Sequence, residues 1–290
     1  MATTTQAMGG AAPDRRPPLA KRLGRMVLPA YTGLVVVYLF LPIVVMAVFG
    51  FNDIQGRFNF TWQGFTLDHW QNLFNRYPAL NQSLINSLIV GVVSTVVATT
   101  FGTLIGLALT RYDFRGRGPL NLFIFLPMAT PEIIMGASLL AMFVSVGVAR
   151  DITTIVIAHV MFNISYVTVT VRARLAGFNR TLEEAAMDLG ADEWTTFRKV
   201  TLPLIFPGIL AAALLAFALS IDDYVITSFV AGQDTTFPLW VFGVSRLGVP
   251  PEVNVLGTLI FSIAFLFIAV QVIGQRRRGA GEAAPAPRLR

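Results

Sequence analysis

Three carboxylates and a tyrosine lie in or beside apolar parts of the sequence, where an ionisable side chain is costly. Glu132 stands inside a long apolar stretch, while Asp222, Asp223 and Tyr224 end another. An ionisable residue in such a stretch normally faces a bundle interior or a water-filled cavity. There it either pairs with a charge or is held by hydrogen bonds to neighbouring helix ends. For Asp222 and Asp223 a third role is open, because a carboxylate can also cap the helix that begins after it.

The chain lacks the residues that most enzymatic chemistry needs. It has no cysteine, so disulfides, thiolate metal sites and cysteine nucleophiles are excluded. Its two histidines, His69 and His159, are too few for a histidine-rich metal centre. A hydrolase or transferase would need a nucleophile–base pair or a metal facing one cavity, so an intramembrane enzyme is a distant alternative.

The sequence also lacks the phosphate-binding pattern Gly-x4-Gly-Lys-Ser/Thr. Its only lysines, Lys21 and Lys199, lie outside glycine-rich loops. We therefore expect no cofactor on this chain.

The elements that position these residues are predicted to be membrane helices. Of 290 residues, 54% are hydrophobic and 13% are charged, whereas soluble domains carry about a quarter charged residues. A helix needs roughly 20 apolar residues to cross the hydrocarbon core, and six stretches meet this length. They are residues 27–51, 84–109, 120–146, 152–171, 204–221 and 256–273. The predicted fold is an all-α integral membrane protein.

Basic residues predict the orientation. Eighteen of the 22 Lys and Arg residues fall on one side of this plan, and the other side holds Arg57, Arg76, Arg150 and Arg246. The positive-inside rule then places both termini in the cytoplasm. Residues 1–25 and 276–290 are predicted to be basic cytoplasmic tails, the first disordered, around a membrane domain at 26–275. The scattered basic residues argue against nucleic-acid binding despite the net charge of +6.

Acidic residues outnumber basic ones on the predicted outer side. They are Asp53, Asp68, Asp151, Asp222, Asp223, Asp234 and Glu252. Such a field would favour cationic solutes at the mouth. The alternative is that the outer loops simply lack bases because of the topology rule.

Two pairs of residues on the predicted spans indicate helix packing. Gly102 and Gly106, four apart, favour a close contact between helices. His159 and Asn163, also four apart, share a helix face, and an interhelical hydrogen bond is favoured over contact with a ligand.

The predicted cytoplasmic loop 172–203 carries the most specific signal. Thr181 and Glu184 have the spacing of a capping box, in which two side chains satisfy free amides at a helix start. A short helix is predicted over 182–189, ending at Gly190 in the left-handed conformation. A second helical stretch is predicted over 192–199, before Leu202 and Pro203.

This loop resembles the EAA loop of ABC-importer permeases. Glu184, Ala185 and Ala186 are followed after three residues by Gly190, and after nine more by a segment ending in Leu202 and Pro203. Val200 stands where the family usually has Ile. The resemblance implies the type I ABC importer permease fold, with this loop as the helix that docks into a cytoplasmic ATPase. An ordinary amphipathic loop helix is the alternative.

The segment from Ser220 to Gly232, followed by Pro238 and residues 248–254, is similar to the second permease subunit of spermidine/putrescine importers. The similarity extends over roughly 25–275. It implies a multi-pass protein of a bacterial inner membrane that transports polyamines. Related permeases carry ferric iron, thiamine or phosphonates, and these solutes stay open as alternatives.

The resemblance also implies the partners and the roles of the residues. A second permease, two ATPase subunits that bind ATP and Mg²⁺, an external solute-binding protein and membrane lipid are expected. A flexible polycation needs carboxylates along an apolar path, so Glu132 is expected to line the pathway. Asp222 and Asp223 are expected at the mouth or gate, with Tyr224 as a cation–π neighbour.

Overall fold

The computed structural model describes residues 19–56 and 58–282. Within them the regular secondary structure is helical, apart from an isolated antiparallel bridge between Asn52 and Phe65. The helices are α1 (Leu19–Phe49), α2 (Asp68–Gln71), α3 (Leu73–Arg76), α4 (Pro78–Arg111), α5 (Arg117–Ala129), α6 (Glu132–Val146), α7 (Ile152–Ala176), α8 (Thr181–Asp188), α9 (Glu193–Thr196), a π-helical turn (Phe197–Thr201), α10 (Leu202–Asp222), α11 (Val225–Val230), α12 (Phe237–Ser245) and α13 (Pro251–Glu282).

The chain divides into two compact units. The first contains α1, α13 and the segment 61–70, and the second contains residues 71–250 with the segment 55–60. In the first unit α1 packs against α13. In the second, α4, α7 and α10 pack against one another, and α11 lies against α6. The second unit therefore carries both regions that the sequence marks as functional.

Small residues bring α4 and α7 together, as the sequence predicts. A Cβ atom on Gly102 would lie 2.7 Å from the Val167 side chain, and one on Gly106 would lie 3.4 Å from the Thr168 carbonyl oxygen. The Thr168 hydroxyl donates a hydrogen bond to the Gly102 carbonyl at 3.2 Å. The predicted close contact between helices is confirmed.

Buried polar side chains join three helices of the second unit. Asn163 of α7 donates to the Ser220 hydroxyl of α10 at 2.8 Å, and Ser220 lies 2.9 Å from the Ser94 hydroxyl of α4. His159 of α7 lies 3.0 Å from the Thr227 hydroxyl of α11. In an apolar surrounding such bonds average about 0.6 kcal/mol each. Interhelical bonding by His159 and Asn163 is confirmed.

The structure contains some of the predicted spans as single helices. Among the residues that the structure describes, four helices are long and apolar enough to cross a membrane: Met26–Phe49, Pro78–Arg111, Ile152–Ala176 and Glu193–Asp222. A fifth crossing is formed if the bent pair Arg117–Ala129 and Glu132–Val146 counts as one. In α13 the apolar part that the structure describes is shorter, Pro251–Leu266. The count of six spans therefore stays a prediction.

The stretch 120–146, predicted as a span, is divided into two helices. The chain bends by 108° between α5 and α6. Thr130 has extended backbone angles (φ −81°, ψ 130°) because a residue before proline is pushed out of the helical region, and Pro131 follows in a non-helical conformation. The apolar composition predicts the extent of this stretch, whereas the proline determines where the helix breaks.

The predicted tails lie largely outside the described residues. Residues 1–18 and 283–290 belong to that part of the chain. The helix α1 begins at Leu19, inside the predicted tail 1–25, and α13 continues to Glu282, beyond the predicted boundary at 275.

Candidate functional site

Two helix breaks face each other in the second unit and build a cavity of about 530 Å³. One break lies between α5 and α6 at Thr130 and Pro131. The other follows α10, where Asp223 is extended (φ −65°, ψ 120°) before α11 begins. Residues from both breaks line the cavity. The carbonyl ends of α5 and α10 thus lie beside it, and a helix C-terminus carries partial negative charge.

The structure brings together all four residues that the sequence marks for a solute pathway. Glu132, Asp222, Asp223 and Tyr224 all line this cavity. Glu132 and Asp222 are exposed in the chain. Glu132 also occupies the first turn of α6, where the helix dipole favours a carboxylate. The arrangement suits an elongated cation better than a neutral solute.

Two aromatic side chains of α7 complete the wall, and sequence reasoning missed them. Phe162 and Tyr166 line the cavity, with their ring centroids 6.4 Å apart. Their spacing of four residues is ordinary for a buried helix face, so the sequence held no signal that would single them out. Tyr224 packs on Phe242 of α12 with ring centroids 4.3 Å apart.

Asp223 caps the start of α11, which is one of the three roles that the sequence left open. Its Oδ2 accepts from the Thr227 amide at 2.8 Å and from the Thr227 hydroxyl at 2.6 Å. Its Oδ1 accepts from the Ile226 amide at 3.3 Å. The buried His159 ring brings Nε2 to 3.3 Å from Oδ2. This carboxylate is therefore held by its neighbours, in contrast to the exposed Asp222.

The second region is the loop that contains α8 and α9. The helix α8 has no buried residue, with Glu184 and Ala185 exposed and Ala186 half-buried. Gly190 follows with φ +89°, which confirms the predicted left-handed stop. Apolar side chains nearby are also exposed, among them Leu189 (90%) and Trp194 (66%). Such a surface is typical of a docking site for another protein.

The predicted capping box between Thr181 and Glu184 is not formed. Arg180, at the N-cap position of α8, makes no side-chain cap. The Thr181 amide instead donates to the Asn179 side chain at 3.1 Å, so the local turn already satisfies it. At the second stretch, the Asp192 side chain does cap α9 by accepting from the Thr195 amide at 3.2 Å. Hydrogen bonding to Thr195 lowers the pKa of the Asp192 carboxyl below its usual range.

Glu183, which sequence reasoning passed over in favour of Glu184, ties the loop to two membrane helices. Its Oε1 accepts hydrogen bonds from the Arg111 guanidinium at the end of α4 and from the Thr201 hydroxyl of the π-helical turn. Arg111 also lies over the Phe178 ring, 5.8 Å from its centroid. Arg111, Glu183 and Thr201 line a hollow of about 780 Å³ at the loop. Its hydrogen-bond partners alone distinguish Glu183 from Glu184, because the two adjacent glutamates look equivalent in the sequence.

The loop passes directly into α10. Phe197–Thr201 form the π-helical turn, and the Leu202 amide bonds to the Phe197 carbonyl. Pro203 has no amide hydrogen, so the regular helical ladder cannot run through this point unchanged. Leu202 is half-buried and Pro203 exposed at the start of α10. The same helix ends at Asp222, on the cavity.

Several of the carboxylates counted on the predicted outer side make local contacts. In the first unit Glu252 is buried, with Oε1 3.1 Å from Nδ1 of His69. In the second unit Asp151 caps α7, and Asp234 accepts from the Ile152 amide at 2.7 Å. These carboxylates serve local structure, and the predicted negative field stays a prediction.

Comparisons with known proteins agree with this geometry. The sequence profile of the family described as "Binding-protein-dependent transport system inner membrane component" matches residues 98–279. The chain is 37% identical over 249 residues to the spermidine/putrescine transport system permease protein PotC of Haemophilus influenzae, covering 86% of this chain and 96% of that protein. Identity to the PotC protein of Escherichia coli is 38% over 255 residues, covering 87% of this chain and 96% of that protein.

A further relative is the putrescine transport system permease protein PotI of Escherichia coli, at 37% identity over 245 residues, with 82% of this chain and 84% of that protein covered. Among solved structures, a chain of a bacterial ABC transporter involved in import of the acidic polysaccharide alginate has a similar fold. Its TM-score is 0.64 at 18% identity, with 88% of this chain and 97% of that chain covered.

Proposed function

Because the chain belongs to the family of binding-protein-dependent transport system inner membrane components, we propose that it is a permease subunit of an ATP-driven polyamine importer. It is a multi-pass protein of the bacterial inner membrane. The observation that carries the substrate is the identity of 37–38% to spermidine/putrescine permeases over most of both chains. The cavity supports it, since carboxylates, aromatic rings and helix C-termini together favour a flexible polycation.

The complex contains a second permease, two cytoplasmic ATPase subunits and an external solute-binding protein. The ATPase subunits bind ATP and Mg²⁺, and this chain carries no ATPase site of its own. The permease has six spans and both termini in the cytoplasm. The excess of Lys and Arg on the loop side supports this orientation, and the exposed apolar surface of the loop supports a protein partner there.

Transport depends on a mechanical connection between the loop, where the ATPase docks, and the cavity. Glu184, Ala185, Ala186 and Gly190 seat against the ATPase, so its closure moves α8. Glu183 passes this motion to α4 and to the turn before Leu202 and Pro203. The helix α10 then carries it over about 30 Å to Asp222, at 1.5 Å per residue. The cavity thereby alternates between outward-facing and inward-facing states.

The substrate is tested by uptake in the source cells. Labelled spermidine would be offered to intact cells, cells lacking the gene and cells carrying Gly190→Asp, with unlabelled putrescine, ferric iron, thiamine or a phosphonate as competitors. We expect uptake to be lost in both mutants and to be suppressed only by polyamines. Unchanged polyamine uptake in the deletion strain would refute the substrate.

A further inference from the structure

The Asp223 carboxylate faces the cavity but has little capacity left for a solute. Its two oxygens receive the Thr227 amide, the Thr227 hydroxyl and the Ile226 amide, at 2.8, 2.6 and 3.3 Å. His159 Nε2 approaches the same carboxylate at 3.3 Å. A carboxylate offers about four acceptor sites, and here three donors and the His159 ring surround it. An ammonium ion would have to displace one of them.

The hydrogen-bond pattern also sets the tautomer of His159. The Thr227 hydroxyl gives its hydrogen to Asp223, so its oxygen can only accept from His159. Nε2 of His159, 3.0 Å from that oxygen, must therefore carry a proton. The ring is fully buried (0% exposed), so water does not compete for these bonds.

These contacts connect α7 with the junction between α10 and α11, beside the cavity. His159 belongs to α7, and Asp223 and Thr227 hold the first turn of α11 against it. The helix α11 packs in turn on α6, where a Cβ atom on Gly136 would lie 2.5 Å from the Phe229 ring. Glu132 begins α6. The placement of α11 therefore fixes the wall formed by the start of α11 relative to the wall that carries Glu132.

We infer that His159, Thr227 and Asp223 form a positioning lock, which sets α11 and the neighbouring Tyr224 ring on the cavity wall and does not itself bind the solute. Contact with ammonium groups falls to Glu132 and Asp222. The inference rests on the proposed function for its consequence in transport. It separates two adjacent aspartates that the sequence cannot tell apart.

The first test compares amide and alanine substitutions at the two aspartates, by initial rates of labelled polyamine uptake in the deletion strain. Asparagine can keep its one oxygen on the Thr227 amide and hydroxyl and loses only the 3.3 Å bond from the Ile226 amide, whereas alanine loses all three bonds. We expect Asp223→Asn to retain most of the uptake and Asp223→Ala to lower it about tenfold, the ratio that corresponds to about 1.4 kcal/mol. At Asp222 both substitutions remove the charge and are expected to lower uptake alike.

The outcome that overturns the lock is a loss in Asp223→Asn as large as in Asp223→Ala, because the charge would then matter and not the hydrogen bonds. The amount of folded subunit in the membrane is measured for each variant. Rates are compared per folded subunit, so a variant that fails to fold is not counted as a transport defect.

A second test does not depend on the solute. The chain has no cysteine, so a single cysteine in place of Val225, which lines the cavity, can be labelled with a small thiol reagent in the assembled complex. Thr227→Val removes the hydroxyl from the lock, and Thr227→Ser retains it. We expect labelling to be several times faster with valine and close to the parent rate with serine.

Equal labelling rates in all three backgrounds would overturn the lock. Absence of polyamine uptake in the parent strain, together with the expected labelling pattern, would instead refute the proposed substrate and leave the lock standing. The two failures are therefore distinguishable.

Discussion

Glu132 and Asp222 present exposed carboxylates at the cavity, whereas the Asp223 carboxylate is occupied by hydrogen bonds. We expect Glu132→Gln to lower polyamine uptake about tenfold, the loss that corresponds to a charge-assisted contact of about 1.5 kcal/mol. The measurement is the initial rate of labelled spermidine uptake per folded subunit. Asp53→Asn, at an exposed residue of the first unit, serves as the control. Uptake by Glu132→Gln equal to that control would exclude Glu132 from the pathway.

Glu183 is expected to stabilise the loop, because it accepts hydrogen bonds from both Arg111 and Thr201. Glu183→Gln removes the charge of this half-buried contact, and we expect a cost of about 1–3 kcal/mol to local stability. The measurement is the rate of limited proteolysis within the loop in the membrane-embedded complex. Glu193→Gln is the matched control, since Glu193 is an exposed glutamate of the same loop. Equal proteolysis of the two variants would contradict the role of Glu183.

The residues of the cavity show how far sequence reasoning reaches at this scale. Glu132, Asp222 and Tyr224 could be predicted because a polar side chain in an apolar stretch stands out by its cost. Phe162 and Tyr166 could not, since aromatic residues are common on buried helix faces. The division between Asp222 and Asp223 depends on the contact of Asp223 with His159, which is distant in sequence, and on its bonds from Thr227, which the sequence does not assign to one aspartate or the other.

The ends of the helices shape both the loop and the cavity. Some of these ends could be predicted from the sequence and others could not. The stop at Gly190 follows from one residue type in the left-handed region. The break at Pro131 was hidden inside a stretch of sufficient apolar length, although a proline was present. The expected capping box failed because Asn179, outside the pattern, satisfies the Thr181 amide. Whether a local motif forms thus depends on neighbouring residues that compete for its hydrogen bonds, as well as on its own residues.

Gly190 can be tested against a glycine of nearly the same geometry. Gly190 and Gly116 have φ of +89° and +96°, and no atom lies within 4 Å of a Cβ added to either. Alanine at each is therefore expected to cost a similar strain of about 1–2 kcal/mol. If Gly190 also lies against the ATPase, Gly190→Ala will lower ATP-driven uptake severalfold, while Gly116→Ala will lose stability alone. Thermal unfolding of the purified complex and uptake are measured for both. Equal uptake would remove Gly190 from the coupling surface.

For the whole molecule, the distribution of charge is the strongest constraint on how the chain crosses the membrane. In the predicted topology most basic residues fall on the side of the loop with α8 and α9, and one that braces this loop is Arg174, which donates to the Leu204 carbonyl at 3.1 Å. Few bases lie on the opposite side. Composition therefore predicts orientation, while the number of spans depends on α13, whose described apolar part is Pro251–Leu266.

Orientation can be measured directly, because the chain has no cysteine of its own. A single cysteine at Asp53 would lie outside, and one at Asp188, at the end of α8, would lie in the cytoplasm. A membrane-impermeant maleimide is expected to label Asp53→Cys in intact cells and Asp188→Cys only after the membrane is opened. Both side chains are exposed in the chain, so a difference reports sidedness and not burial. Labelling of Asp188→Cys in intact cells would reverse the topology and, with it, the assignment of α8 to a cytoplasmic ATPase.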